Sequence, residues 1–115
     1  DRLEWPLNIA IAYNDETMAL EIASLMKAYI LKTSALNIEY APLVEYTEYP
    51  ILSWAIGWKN KKTFEAVLDL AHTLNTVFED PQAIMFEDYL YKRAKRAFGK
   101  AFMSEMQEKY AIEWF

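Results

Sequence analysis

The chain has 115 residues, with 12 basic and 17 acidic side chains, a net charge of −5, 54% apolar residues and no cysteine. That apolar content excludes intrinsic disorder, and the length supports one core rather than two. No run approaches the ~18 uncharged apolar residues of a membrane helix, and without cysteine there are no disulfides, thiolate metal sites or thiol nucleophiles.

A reducing, cytoplasmic setting is expected from the absence of cysteine. The chain begins at Asp1 with no basic-then-apolar leader, which reads as a single domain, processed or cut from a longer chain. Glycine and proline are scarce, at two and four, so short loops and much regular structure are expected.

The first segment, Leu7–Tyr13, reads LNIAIAY and alternates with a period of two, the signature of a strand. Asn14 then offers a helix cap, with Asp15 and Glu16 in the first turn where the helix dipole favours acids. Ala19, Ile22, Ala23, Met26, Tyr29, Ile30 and Thr33 follow at helical spacing, so a helix to about Thr33 is expected. Leu36–Tyr40 reads as a second strand ended by Pro42, and Leu43–Tyr49 as an edge strand or a loop. Ile51–Trp58 reads as a further strand, with Trp54, Ile56 and Trp58 on one face and Ser53, Ala55 and Gly57 on the other.

Asn60 caps a helix carrying Phe64, Val67, Leu68, Ala71, Leu74 and Phe78. Asp80-Pro81 signals another helix start. A single helix from Pro81 to Glu113 would be about 50 Å long, against a radius of gyration of about 13 Å for a domain this size. Gly99 is therefore expected to bend it, or residues 83–86 to form a last short strand ahead of a helix beginning at Glu87 or Asp88. No internal repeat stands out. The order implies an α+β two-layer sandwich, ferredoxin-like βαββα(β) with an added C-terminal helix; a small open α/β sheet is the alternative.

Function is less legible. The small faces of the two expected strands (Asn8, Ala10, Ala12 and Ser53, Ala55, Gly57) would form a shallow floor. It would be covered by the C-terminal helix through Ala94, Ala97 and Ala101, by a second subunit, or by a ligand. Glu39-Tyr40, Glu45-Tyr46 and Glu48-Tyr49 repeat an acid beside a tyrosine, an edge that reads either as soluble packing or as a contact for a basic partner. The first expectation is a non-catalytic protein-binding module that self-associates as a homodimer, anchored by Tyr40, Tyr46, Tyr49, Trp54 and Trp58. An enzyme or sensor with a sheet-floor pocket near Tyr13, Trp54 and His72 is the alternative.

A third reading is nucleic-acid binding through residues 89–100 (YLYKRAKRAFGK), where Lys92, Arg93, Lys95, Arg96 and Lys100 interleave with aromatics. Against it stands the acidic whole-chain balance, although the charge is uneven: residues 1–58 hold 8 acids and 3 bases, and 59–115 hold 9 of each. Glu65, Asp69 and His72 share a helix face, but one histidine without further inward acids makes no di-iron site, so neither a metal nor a cofactor is expected. No phosphate loop, serine elbow or catalytic triad is recognisable, and no membrane partner is expected.

Overall fold

The computed structural model describes residues 4–33, 50–77 and 84–114. Its elements are α1 (Glu4–Ala12), α2 (Glu16–Thr33), α3 (Pro50–Gly57), α4 (Lys61–Val77), β1 (Ile84–Phe86), α5 (Asp88–Phe98), α6 (Lys100–Tyr110) and β2 (Ile112–Trp114). The ferredoxin-like α+β sandwich and the open α/β sheet are both overturned. The two expected strands at 7–13 and 51–58 are helical, and the described β structure is one parallel pair, Ile84–Phe86 against Ile112–Trp114. The expected strands at 36–40 and 43–49, and the Asp80-Pro81 start, lie outside the described residues.

The error has a physical source. In LNIAIAY the residues Leu7, Ala10 and Ile11 sit at i, i+3 and i+4, so a period-two pattern of seven residues also contains a helical stripe. Leu7, Ala10 and Ile11 are buried, whereas Ile9 and Tyr13, on the presumed bulky face, are exposed. In α3 the buried set is Ile51, Leu52, Ala55 and Ile56, leaving Trp54 and Trp58 exposed. No small-residue floor exists, because Ala10 and Ala55 are core residues of helices. The α2 and α4 helices, the short strand at 84–86 and the break at Gly99 are found as expected.

The described helices form three hairpins. α1 packs on α2, α3 on α4, and α5 on α6; across hairpins α1 packs on α3 and α3 on α5, while α2 packs on α4 and α4 on α6. The first and third hairpins make no comparable contact. The result is two layers, α1-α3-α5 over α2-α4-α6, and the shortest dimension of the molecule, 19 Å, is that of two helix diameters. Stacked helix pairs that touch only their neighbours are the architecture of helical-repeat solenoids.

A repeat is present after all. Ala10-Ile11-Ala12-Tyr13 and Ala55-Ile56-Gly57-Trp58 occupy the same place at the end of the first helix of the first two hairpins. The first two turns match bond for bond. Asn14 and Lys59 both take positive φ, 56° and 55°. Asp15 N–H donates to Ala10 O (2.7 Å) and Asn14 N–H to Ile11 O (3.0 Å); Asn60 N–H donates to Ala55 O (3.1 Å) and Lys59 N–H to Ile56 O (3.0 Å). Each is a Schellman closure whose last residue caps the next helix: Asp15 Oδ1 accepts from Met18 N–H, and Asn60 Oδ1 from Thr63 N–H. Asn14, the expected cap, instead takes the left-handed position and accepts a bond from Asn60 Nδ2 (2.9 Å), which ties the two turns together.

The third hairpin shortens the turn to Gly99 alone and is closed by the β1–β2 pair that brackets it. Its junction with the second hairpin is aromatic. The Phe64 ring lies 4.8 Å from that of Phe98 and 6.3 Å from that of Phe102, and Ala94 and Phe98 are buried with it. Of the expected alanine stripe, Ala94 is buried, Ala97 partly buried and Ala101 exposed.

Candidate polyanion-binding surface

Cations gather where the third hairpin meets the second. On α5, Lys92, Lys95 and Arg96 share a solvent face at i, i+3 and i+4, and with Lys100, the first residue of α6, they line an open groove of about 390 Å³. Arg96 also lines a second groove, of about 240 Å³, with Arg93, Ala97, Lys59 and the Ile56-Gly57 end of α3. The band thus adds Lys59, from another hairpin, to the five bases singled out in the sequence.

Most of these charges lack a counter-charge. Lys92 pairs with Asp88 (2.9 Å, one turn away), and Arg93 donates to Ser53 Oγ (2.9 Å) while lying 5.8 Å from the exposed Tyr89 ring. Among the described residues neither groove is lined by a carboxylate, and Lys59, Lys95, Arg96 and Lys100 form no ion pair. Lys100 also begins α6, where the helix dipole is positive and a cation is disfavoured. Concentrating cations without ion pairs at such a place costs stability, which an anion bound there would offset.

The second layer shows the contrast. A 510 Å³ groove there is also rich in charge, but its charges are paired: Lys27 with Asp69 (2.9 Å), Lys109 with Glu65 (2.8 Å) and Lys62 with Glu16 (3.9 Å). Lys61 lies 5.3 Å from the Phe102 ring, so Lys59, Lys61 and Lys62, close in sequence, stand in different surroundings. Glu65 Oε2 accepts from both Lys109 Nζ and Tyr110 Oη (2.7 Å), fastening the end of α6 to α4. The bonds from Lys109 and then Tyr110 hold the Glu65 carboxyl below its usual pKa, while burial and the Glu65 bond push the Tyr110 phenol up.

The signs follow. A carboxyl whose pKa is depressed by folding contributes stability above its unfolded pKa, near 4.5, and loses it as the pH falls through the folded value. Tyr110, raised, contributes below its unfolded value near 10 and loses it at higher pH. The stability advantage of the wild type over Glu65→Gln is therefore expected to shrink as denaturant titrations move from about pH 7 into the acid range. A pH-independent difference would remove the carboxylate from the account.

The other candidate residues are dispersed. His72 lies edge-on to the Tyr110 ring (centroids 5.7 Å apart) in the second layer, while Tyr13 and Trp54 are on the first-layer helices and their turns, so the expected ligand pocket is not assembled. Among the described residues no group of three or more His, Asp or Glu could hold a metal ion, and no described helix is long and apolar enough to cross a membrane. Of the expected interface anchors, Trp54 (41% exposed) and Trp58 (51%) are accessible, Trp58 Nε1 donating to Ala12 O (3.1 Å). Tyr40, Tyr46 and Tyr49 lie outside the described residues.

Comparisons with family models, with curated proteins and with solved structures return no match. The surface itself carries the reading.

Proposed function

We propose that the protein binds a nucleic-acid backbone through Lys59, Lys92, Arg93, Lys95, Arg96 and Lys100. The observation that carries this reading is the pair of adjoining grooves that share Arg96 and are lined by cations, with no carboxylate among the described lining residues. Repeated positive charge along one strip matches a ligand whose negative charge repeats along its length, and counterion release then drives association. Such binding needs no glycine loop, metal or reactive group. The net charge of −5 opposes a coat over the whole molecule, but it does not oppose a local footprint, because the acids outnumber the bases chiefly in residues 1–58.

Self-association, the first expectation from the sequence, loses the sheet surface on which it was to be built. The test is a fluorescence-anisotropy titration of labelled oligonucleotides at low salt, with a Lys95→Glu/Arg96→Glu variant beside the wild type. Both residues are exposed, so the variant should keep wild-type stability to within ~0.5 kcal/mol. It is expected to bind at least about tenfold more weakly. Equal binding by the two proteins would remove the basic band from the function.

A further inference from the structure

We infer that the preferred ligand of this band is single-stranded nucleic acid, whose bases stack on Trp54 and its neighbours; the inference rests on the backbone-binding reading above. Its ground is the pair of indoles that α3 exposes, Trp54 at 41% and Trp58 at 51%, next to the cations of α5. α3 packs on α5, and Ser53, which precedes Trp54, accepts from Arg93.

The first layer therefore carries a strip with exposed indoles on α3 and cations on α5. Gly57 and Lys59, on either side of Trp58 in the chain, line the groove that holds Arg93 and Arg96. Trp58 is fixed by its bond to Ala12 O, which leaves a preset ring at the surface without the ordering cost of a free side chain.

Each part of the strip has a counterpart in a single strand and only some have one in a duplex. Phosphates meet the cations in either form. Unstacked bases, which a duplex keeps inside, meet the indoles, and stacking tolerates every sequence because every base has a π-face. Neighbouring helices spaced by about 10 Å set the indoles and the cations within the span of a few nucleotides. An acidic polypeptide would meet the cations as well, but its carboxylates offer the indoles nothing.

The experiment uses the intact chain and three probes: an oligothymidylate of about twelve nucleotides, a blunt duplex of equal length, and poly-glutamate. Tryptophan fluorescence and the anisotropy of labelled probes are read together. Expected are quenching by the single strand, tighter binding of it than of the duplex, and a loss of about tenfold in single-strand affinity in Trp54→Ala with duplex binding unchanged. Because the quenching is read in the wild type, the inference stays falsifiable even if Trp54→Ala fails to fold. Duplex binding as tight as single-strand binding, without quenching, would overturn the inference and leave the backbone-binding reading standing. Binding of poly-glutamate alone, or of no probe, would overturn both. A light-scattering dimer that Trp54→Ala converts to monomer would assign the indoles to a second copy of the chain and overturn the inference.

Discussion

Phe64→Ala is expected to lower the stability of the chain by about 3–5 kcal/mol, the range for emptying a buried aromatic site. Phe64 is fully buried, 0% exposed, and it is a residue through which α4 holds the third hairpin, with its ring against Phe98 and Phe102. Phe98 and Phe102 also contact each other, with centroids 5.3 Å apart, so the hole opens inside a three-ring cluster rather than at its edge. In a stack that coheres through nearest neighbours, weakening one junction weakens the coupling as well as the total. Denaturant melts should therefore show the midpoint falling and the transition broadening, with the far end of the chain released first. A variant that melts as sharply as the wild type, within 1 kcal/mol of it, would mean that the third hairpin does not depend on this cluster. Phe64→Leu, which keeps most of the apolar volume, should recover much of the loss.

Gly99→Ala is expected to cost about 1–3 kcal/mol through the backbone alone. Gly99 stands between α5 and α6 at φ 96°, ψ 155°, a region essentially reserved for glycine, and a Cβ there would meet no atom within 4 Å. The loss would thus come from torsion and not from a clash. Gly57 provides the control. It too has open space around it, but it lies within α3 and is not among the positive-φ residues, so Gly57→Ala should be neutral or stabilising by up to ~1 kcal/mol. Opposite signs in the two thermal melts are the expected result. Equal effects would contradict the torsional account. Because Lys100 follows Gly99 directly, Gly99→Ala should also weaken nucleic-acid binding, whereas Gly57→Ala should not weaken it through the fold.

How much of this could be read from the residues alone differs between elements. The long helices were legible because α2 and α4 each run several turns, and a stripe such as Phe64, Val67, Leu68 and Ala71 has no reading as a strand. The first helices of the hairpins were not. α1 and α3 have nine and eight residues, and in so short a window LNIAIAY and ILSWAIGW satisfy both periods. What separates the two is the turn, where Asn14 and Lys59 take positive φ and close a Schellman motif, and this depends on which backbone bonds form rather than on side-chain pattern. The repeat was hidden for a related reason: it survives in sequence as only four residues, Ala-Ile-Ala-Tyr and Ala-Ile-Gly-Trp, 45 positions apart.

The candidate surface was legible in part. Lys92, Arg93, Lys95, Arg96 and Lys100 are neighbours in sequence, so their clustering needed no fold. Their division between faces did. Arg93 turns to Ser53 on α3, and Lys92, Lys95 and Arg96 remain on one face. Lys59, 33 residues from the nearest of them, joins them only once the hairpins stack.

The central claim is that unpaired cations of the third hairpin hold phosphates, and the salt dependence of the association constant tests it most directly. With about four phosphates engaged on a single strand, the logarithm of that constant should fall against the logarithm of salt concentration with a slope of about −3. The Lys95→Glu/Arg96→Glu variant should flatten the slope by about two. Binding whose strength does not change from low to moderate salt would contradict the account.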